Sequence, residues 1–437
     1  MSPGLSSPAH RGGERRAGGS LNVIHAAQLA RIMDRGGPRR GREQRELDLI
    51  EDGAVAIRDG VIQAVGATDA VLEAFGEPGV TTLNADGCTV LPGLVESHCH
   101  PLFKAAPHPP DADRLPLREI AGREDGIWET VAHTRAATED ELLAQLTRVY
   151  RRALAGGVTT LECKTGYTLS VEGELRDLAL LERSRELTAI SLVTTFLGAH
   201  MVPADAPNET GYVDTVIDEM LPRIDGLASF ADFCCDADLF STQSIARMLE
   251  QAQSRGLPTR IHADGWAAAD GWRTAVRYGA ASADHLTFTS DAEIAEVGCA
   301  DTIATLLPVA EMIYMTECRA NARAFVAHDV PLAIATDYCS SIGASSLATT
   351  IGIAVPWFHI TPAEAIVAAT LNAAYGLGLG ADRGSLDPGK RGDLTILGAP
   401  HPNDLYLSLG APLVEAVAIE GKIRYRQGAT TESCASS

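Results

Sequence analysis

The sequence predicts an α/β protein in which a (β/α)8 TIM barrel carries a small β-sandwich domain. Between about residues 91 and 379, eight apolar, β-branched runs alternate with helix-like stretches, and almost every run ends in a polar or titratable residue. Eight strands joined by helices over about 285 residues are what such a barrel requires. The chain has 437 residues, so there is room for a second, smaller domain.

The eight runs define the strands of the predicted barrel. In chain order they are CTVLPGLVESHCH, GVTTLECKT, AISLVTTFLGAH, FADFCCD, LPTRIHAD, ASADHL, DTIATLLP and VPLAIATD. A helix is expected from Thr138 to Gly157, because this stretch opens on a threonine cap and closes on glycine. Active sites of these barrels lie at the carboxyl ends of the strands, so the polar residues that end the runs should converge on one mouth.

Two β-like regions flank the barrel in the sequence. The run GAVAIRDGVIQAVG places an Asp-Gly pair between alternating segments, which is a strong hairpin signal. A similar pattern returns in GKRGDLTILGA and VEAVAIEGKIRYRQG, so residues 21–90 and 380–430 are expected to form one small β-sandwich domain beside a barrel domain of residues 91–379. Residues 1–20 are rich in Gly, Ser, Pro and Arg and are expected to be a flexible extension.

The charge and hydropathy of the chain limit its partners. It has 36 basic and 57 acidic residues, a formal net charge of −21, and no evident basic patch, so no nucleic-acid partner is expected. No window approaches the roughly 18 apolar residues of a membrane span, and no apolar signal region follows the basic N-terminal residues. We therefore expect a cytoplasmic protein that does not bind membranes and whose partner is a small molecule.

The sequence SHCH at the end of the first run is the sharpest chemical signal. Alternate side chains of a strand share a face, so His98 and His100 lie on the same side, where two imidazoles can bind one divalent metal ion. His262 at the end of the fifth run and Asp337 at the end of the eighth would complete a catalytic site of three histidines and one carboxylate. Taken alone, His262 could instead be a core histidine and Asp337 a helix N-cap.

Other strand ends supply candidates for the remaining roles. Water activated by a metal needs a base, and His285 in ADHL is the candidate, although it could instead orient Asp337 or cap its strand. His200 at the third strand end and Tyr167 in ECKTGY are placed to hydrogen-bond a substrate.

Two further strand ends favour structural roles or limit the metal content. Glu162 and Lys164 are better explained as a structural ion pair than as catalytic groups. Asp236 ends the fourth run, where binuclear sites of this architecture carry a carboxylated lysine between two metals. No lysine occurs there, so a single ion is expected.

In this order, the strand-end residues resemble the amidohydrolase superfamily: two histidines after strand one, one after each of strands five and six, and an aspartate after strand eight. Within it, LPGLVESHCH, ECKTGY, TTFLGAHMVP, HAD, ADHL and GSLDPGKRGDLTIL are similar to the imidazolonepropionase family, and the similar segments span about residues 50 to 428. The resemblance implies hydrolysis of a cyclic amide C–N bond in a small imidazolone-like heterocycle by metal-activated water. It also implies one divalent ion, Zn²⁺ or alternatively iron, and a homodimer.

The resemblance assigns roles to residues of this chain as well. The metal ligands would be His98, His100, His262 and Asp337. His285 would activate water, with Asp337 as the second catalytic residue, and Tyr167 and His200 would contact the ring and its substituent.

The chain departs from the family where the substrate binds. The family has a glutamate three residues after the strand-five histidine, and here Gly265 stands in its place, which cannot shuttle protons. Asp264 should face the other way, and Trp266 could supply an apolar wall. Tyr338 and Cys339 stand where the family has residues that grip the substrate carboxylate, so Tyr338 is a third candidate for substrate contact.

These departures leave three hypotheses for the function. The family's carboxylate-binding arginine has no direct counterpart, although Lys104 or Arg114 could replace it. The leading hypothesis is hydrolysis of an imidazolone-like ring, with a modified ring such as a thioxo-imidazolidinone as one form of it. A heterocycle aminohydrolase, or deaminase, is the second. A catalytically silent, metal-binding paralogue is the third.

Overall fold

The computed structural model describes residues 18–105, 125–237, 239–314 and 316–428, with the side chains of residues 125 and 126 left out. Arg114 and residues 1–17 of the predicted N-terminal extension therefore lie outside the described residues. The last residues of that extension are hydrogen-bonded: the Gly19 N–H donates to the Glu420 carbonyl (2.8 Å), and the Gly60 N–H donates to the Gly19 carbonyl (2.9 Å).

The described chain begins with five strands that lie outside the barrel. They are β1 (Leu21–Ala30), β2 (Leu49–Arg58), β3 (Val61–Ala67), β4 (Thr81–Asn84) and β5 (Thr89–Pro92), with helix α1 (Thr68–Phe75) after β3 and a short 3-10 turn at Gly41–Arg45. The predicted hairpin is confirmed as β2 and β3. Its turn residues Asp59 and Gly60 both have positive φ, 50° and 79°, which suits the tight turns of two-residue hairpins.

Eight parallel strands form the barrel, and each corresponds to one of the eight runs in the sequence. They are β6 (Leu94–Glu96), β7 (Val158–Lys164), β8 (Ser191–Ala199), β9 (Phe230–Cys235), β10 (Thr259–Ala263), β11 (Ser282–His285), β12 (Ile303–Leu306) and β13 (Leu332–Ile334), paired in this order. Beyond the strand ends, the Asp337 N–H donates to the His98 carbonyl (3.2 Å) and the His100 N–H donates to the Tyr338 carbonyl (2.8 Å). These two bonds join the first strand to the last and bring three predicted metal ligands together.

Helices surround the barrel in the connections between its strands. They are α2 (Asp125–Ala136), α3 (Glu139–Ala155), α4 (Val171–Arg183), α5 (Glu209–Thr215), α6 (Thr242–Ser254), α7 (Gly271–Arg277), α8 (Asp291–Val297), α9 (Pro308–Tyr314), α10 (Ala322–Ala327), α11 (Leu347–Phe358), α12 (Pro362–Ala368) and α13 (Leu371–Gly376). Short 3-10 helices at Ser184–Leu187 and Leu221–Arg223 and a π-helix at Val216–Met220 complete the connections. The predicted helix is confirmed as α3, which a capping box begins: the Thr138 side chain accepts the Glu141 N–H (3.3 Å), and the Glu141 side chain accepts the Thr138 N–H (3.0 Å).

The C-terminal segment returns to the first sheet. Its elements are strand β14 (Leu394–Leu397), helix α14 (Asp404–Leu407) and strands β15 (Val414–Ile419) and β16 (Lys422–Arg426). Strand β14 pairs with β5, so both ends of the chain build one sheet. The strand order is β16-β15-β14-β5-β1-β2-β3, and β4 pairs with β1. The predicted fold class, a barrel with a second β unit from both ends, is confirmed. Its domain limits stay a prediction, and the chain passes from sheet to barrel at Gly93, between β5 and β6.

The helices also bear on the expectation about membranes. Among the helices of the described residues, none combines the length and the apolar character needed to cross a membrane.

Candidate active site

The four predicted metal ligands lie together at the carboxyl ends of β6, β10 and β13. The Nε2 atoms of His98 and His100 are 3.2 Å apart, and those of His100 and His262 are 3.4 Å apart. Asp337 Oδ1 lies 3.5 Å from His98 Nε2 and 3.6 Å from His100 Nε2. Ligands that surround one ion at about 2.0–2.1 Å in a tetrahedron lie about 3.3 Å apart. These four distances are close to that spacing, and His98, His100 and Asp337 together form a group that could hold one ion.

Two carboxylates fix the orientation of the histidine rings. His98 Nδ1 lies 2.7 Å from Asp284 Oδ2, and His262 Nδ1 lies 3.1 Å from Asp232 Oδ1. An imidazole that donates from Nδ1 to a carboxylate keeps the lone pair of Nε2 free for a metal ion. Both carboxylates therefore orient their histidine so that Nε2 faces the site.

Five charged side chains lie below the donors, inside the barrel. Glu162 and Lys164 form the predicted ion pair (3.0 Å), and Lys164 Nζ also lies 2.6 Å from Asp232 and 3.7 Å from Asp284. Arg260 lies 3.1 Å from both Glu162 and Asp284, and all five side chains are 0% exposed. Two cations against three carboxylates leave one net negative charge, which favours a cation in the site above.

The pKa of His98 reflects this negative field. Burial and the ammonium of Lys164 lower the pKa of His98, but the carboxylates of Asp284 and Asp337 outweigh them and raise it to about 9. A site that holds a proton this firmly will also attract a divalent cation, which competes with the proton for the same nitrogen. The residues present thus fit a metal ion by geometry, by donor chemistry and by charge.

His285 lies beside the proposed metal ligands, and its ring is close enough to those of His98 and His262 for the three to form a possible ligand group of their own. Its ring centroid lies 5.4 Å from that of His98 and 5.3 Å from that of His262. Burial, followed by the charges of His262 and His98, lowers the pKa of His285 to about 3 despite the opposing field of Asp337. The imidazole is therefore neutral near pH 7. Its backbone has a φ of 80°, an uncommon conformation for a histidine and one that often marks an active site.

Tyr167 and His200 form one side of the space above the donors. The His200 ring stacks on His100 with centroids 5.4 Å apart and planes at 16°, and its Nδ1 lies 3.1 Å from the Gly166 carbonyl. Burial and then His262 lower the pKa of His200 to about 4, so its ring is neutral near pH 7. The Tyr167 ring lies edge-on to His200 at 5.5 Å, and its hydroxyl lies 3.5 Å from Ser340 Oγ. Both predicted substrate contacts are thus brought to the mouth.

Tyr338 and Lys104 are placed differently. The Tyr338 ring packs 5.9 Å from the Phe103 ring and its hydroxyl accepts a bond from Gln145 of α3 (3.2 Å), so its side chain joins the core against that helix. Its carbonyl accepts the bond from His100 that helps to close the barrel. Substrate contact by the Tyr338 side chain stays a prediction, and the contacts described favour a packing role for this side chain.

Lys104, the candidate for binding a substrate carboxylate, instead pairs with Glu141 of α3 at 2.5 Å.

The space beside Gly265 is not vacant. A Cβ atom added to this glycine would lie 3.1 Å from Asp236 Oδ2 and 3.2 Å from His285 Cγ, closer than such contacts normally are. Asp236 occupies this place because its carboxylate accepts the backbone N–H groups of Gly265 (2.7 Å), Trp266 (2.7 Å) and Ala267 (2.8 Å). Burial raises the pKa of Asp236 to about 6 in spite of these three bonds. Asp236 therefore anchors the loop after β10.

The same loop carries Trp266 to the rim of the site. Asp264 faces away from the donors, as predicted, and accepts N–H bonds from Ala269 (2.7 Å) and Gly271 (3.1 Å). The Trp266 side chain is 54% exposed, and its ring centroid lies 4.5 Å from that of Tyr314 at the end of α9. Trp266 does not fill the space beside Gly265 but forms an aromatic pair that bridges the connections after β10 and β12.

Several residues of the site were missed in the sequence. Asp232, Asp284 and Arg260 orient the ligands from one layer below, and Tyr314 reaches the mouth, where its hydroxyl lies 2.7 Å from Ser341 Oγ. A usable signal existed for Arg260: it precedes His262 by two residues, so both side chains share the inner face of β10.

The described geometry agrees with comparisons to known proteins. The model of the amidohydrolase family matches residues 89–424. An imidazolonepropionase of Symbiobacterium thermophilum is 36% identical over 418 residues, which cover 93% of this chain and 98% of that protein. The imidazolonepropionase of Solibacter usitatus is 37% identical over 415 residues (93% and 99%), and that of Syntrophobacter fumaroxidans is 38% identical over 421 residues (94% and 99%).

Solved structures share the fold at lower identity. An adenosine deaminase from Xanthomonas campestris with bound zinc has a TM-score of 0.70 at 20% identity, over 95% of this chain and 96% of that one. An atrazine chlorohydrolase variant from Arthrobacter aurescens, complexed with zinc and atraton, has a TM-score of 0.72 at 17% identity, over 95% and 98%. At these identities, the solved structures show only that the fold is shared. The family match and the relatives of 36–38% identity show the family. The chain belongs to the amidohydrolase family, in which it is an imidazolonepropionase-like, metal-dependent hydrolase of carbon–nitrogen bonds.

Proposed function

We propose that this protein opens a small, imidazolone-like heterocycle by hydrolysing its cyclic amide C–N bond. The observation that carries the proposal is the convergence of His98, His100, His262 and Asp337 around one point, with neutral His285 beside them. The imidazolonepropionases with which the chain shares 36–38% identity support the same class of reaction.

The four ligands would hold one divalent ion, Zn²⁺ or alternatively iron. When bound, such an ion acts as a Lewis acid and lowers the pKa of a coordinated water molecule. Asp284 and Asp232 keep the rings of His98 and His262 turned towards it. Chemical preference favours zinc, because three imidazole nitrogens and one carboxylate in a compact set are typical of catalytic zinc sites.

His285 acts as the general base, with Asp337 beside it. The neutral ring of His285 accepts the proton of the attacking water and then delivers it to the leaving ring nitrogen, which breaks the C–N bond. Asp337 contributes a carboxylate that stabilises the imidazolium so formed, since its charge raises the pKa of His285. His200 and Tyr167 contact the substrate ring from the other side, where the Tyr167 hydroxyl lies 3.5 Å from Ser340 Oγ and His200 is held through Nδ1 by the Gly166 carbonyl.

In this proposal, the ring of the substrate differs from the imidazolone ring that the imidazolonepropionase family opens. The place of the family's glutamate is closed by Asp236 and His285 around Gly265, so no carboxylate side chain from that position reaches the substrate. The polarisable pair of Trp266 and Tyr314 stands near it instead. A ring with a larger or softer exocyclic atom, such as a thioxo-imidazolidinone, suits such a wall because sulfur makes favourable contacts with aromatic rings.

The test is a panel of cyclic amides incubated with metal-loaded protein. Imidazolone, hydantoin and 2-thiohydantoin rings that each carry a propionate side chain are followed by the loss of ring absorbance and by identification of the product. We expect ring opening of at least one compound and faster turnover of the thioxo ring than of the hydantoin. If all three compounds remain intact, the proposal is wrong.

A deaminase remains the second candidate, and the same panel distinguishes it. The strand-five position that such an enzyme uses to protonate its leaving group is glycine here, which is the observation against it. Release of ammonia from an amino-substituted ring, with the ring left closed, would reverse the preference.

Replacing the base separates a catalyst from a silent metal-binding protein. His285→Ala should lower turnover by about 10²–10⁴-fold, the usual contribution of general base catalysis, while the bound metal per chain stays the same. His401→Ala is the matched control because His401 is an exposed histidine in the segment before α14. An unchanged rate in the His285 variant would remove this residue from the mechanism.

Two finer expectations belong to the same proposal. The chain is expected to work as a homodimer, which light scattering on the purified protein tests directly. It is also expected in the cytoplasm, and cell fractionation tests that expectation.

A further inference from the structure

A pair of buried carboxyl groups lies under the loop that carries Tyr167. Glu174 and Asp177 are three residues apart on α4, and therefore on one face of the helix, and both are 0% exposed. The loop between β7 and α4 presents Tyr167 to the site, and its Gly166 carbonyl accepts the bond from His200. The two proposed substrate contacts thus depend on the conformation of one short loop.

Glu174 holds this loop through a single carboxylate oxygen. Its Oε1 accepts the N–H of Thr168 (3.2 Å), the N–H of Leu169 (2.8 Å) and the hydroxyl of Thr168 (2.8 Å). Leu169 has a φ of 48°, an unfavourable conformation for a leucine, so the loop needs such bonds to keep its shape. Thr168 follows Tyr167 directly, and any shift of its backbone moves the phenol ring.

One hydroxyl hydrogen serves two carboxyl groups in this arrangement. Thr168 Oγ1 lies 2.8 Å from Glu174 Oε1 and 3.3 Å from Asp177 Oδ2. A hydroxyl has a single hydrogen to donate, so with both acids ionised one of these contacts would set lone pair against lone pair. A proton on Asp177 resolves the conflict, because Asp177 then donates to Thr168 and Thr168 donates to Glu174.

The charged groups around Asp177 agree with a shared proton. Burial and the neighbouring Glu174 raise the pKa of Asp177 to about 7, although Arg176, whose Nε and guanidinium nitrogen lie 3.0 and 2.9 Å from Oδ1, opposes them. Within the described part of the chain, the other titratable or charged groups near this pair include Arg135 of α2, which donates to the Thr168 carbonyl (2.7 Å), its partner Asp205, and Tyr212 of α5.

We propose that Glu174 and Asp177 are positioning residues for substrate binding: together they hold one proton and thereby fix the loop of Tyr167. Loss of that proton leaves two buried, ionised carboxylates on one hydroxyl, loosens the loop and weakens substrate binding without altering the bond-breaking step. The inference rests on the proposed function in so far as Tyr167 and His200 contact the substrate.

The kinetic test uses Asp177→Asn, which keeps the shape and a donor at Oδ2 but has no proton to lose. The substrate is the panel compound that wild-type protein opens. Between pH 6.5 and 8.5, we expect the increase in KM of wild type to be about tenfold larger than the increase in KM of the variant. The pH profile of kcat should be the same in both proteins. Asp214→Asn is the matched control, because Asp214 lies on α5 in an exposed pair with Arg247. Equal pH dependence of KM in wild type and Asp177→Asn would overturn the positioning role.

A second measurement does not require turnover. Amide hydrogen exchange of the peptide over residues 165–170 is followed at pH 6 and pH 8.5 in wild type and in Asp177→Asn. The chemical exchange rate itself rises with pH by the same factor in both proteins, so the comparison isolates the change in protection. Wild-type protein should lose protection at the higher pH and the variant should not; identical behaviour refutes the shared proton even if no panel compound is opened. Glu174→Gln serves as the second variant, because its neutral amide oxygen is a weaker acceptor than the carboxylate for the Thr168 and Leu169 N–H groups. KM should rise at every pH with kcat unchanged, and an unchanged KM would contradict the role of Glu174.

Discussion

The carboxylate of Asp284 is expected to control metal affinity through His98. In the variant Asp284→Asn the shape is kept, but the amide can no longer act as a charged acceptor for the His98 Nδ1–H at 2.7 Å. Arg260 loses one of its two charged partners and keeps Glu162 at 3.1 Å. The buried layer also changes from one net negative charge to none. Loss of such an orienting carboxylate weakens metal binding by about 10–100-fold, or about 1.4–2.7 kcal/mol.

The assay for Asp284→Asn is competition for Zn²⁺ between the protein and a chromophoric chelator. Asp393→Asn is a suitable control, since Asp393 is a buried aspartate of the other sheet that pairs with Arg391 at 3.1 Å and not with the site. We expect the dissociation constant for zinc to rise in Asp284→Asn and to stay within twofold of wild type in the control. A wild-type dissociation constant in Asp284→Asn would refute the idea that this layer prepares His98 for the metal.

Two further variants test the space around the base and the layer below it. In Gly265→Ala, the added methyl group would lie 3.1 Å from Asp236 Oδ2 and 3.2 Å from His285 Cγ. Turnover, measured by kinetics, should therefore fall, and the free energy of unfolding in urea should decrease by about 1–3 kcal/mol. The metal content should be unchanged. Lys164→Met removes the buried ammonium that Asp232 and Glu162 share and leaves Arg260 as the remaining cation of the layer. The free energy of unfolding should therefore fall by about 3–5 kcal/mol, and a loss below 1 kcal/mol would argue against the ion cluster.

Much of the fold could be predicted because its signals are local. Each barrel strand is a short apolar run, and hairpin and helix limits are marked by residues with defined backbone roles, such as Gly60 in a turn and Thr138 as a cap. The proposed metal ligands could also be identified from the sequence, since each is a metal-binding residue type at a strand end. Their mutual distances of 3.2–3.6 Å depend on barrel closure, which no local pattern encodes.

The parts that could not be predicted depend on partners distant in sequence. Asp236 reaches Gly265 across 29 residues, and this contact turns an apparently vacant position into a closed one. Tyr338 has a side chain suited to substrate binding, but the backbone bond that closes the barrel turns its ring towards α3. The sequence identifies the types of residue at the mouth, and only the packing of neighbouring strands decides which of them face the substrate.

The most direct test of the central claim is a titration of metal-stripped protein with Zn²⁺, in which bound metal and ring opening are measured on the same samples. The panel compound that wild type opens serves as substrate, and His262→Ala serves as the ligand-deficient control. We predict that ring opening rises in proportion to bound metal, is complete at one ion per chain, and is absent in the control. Full activity without metal, or a chain that binds one ion at this site and opens no ring, would contradict the account.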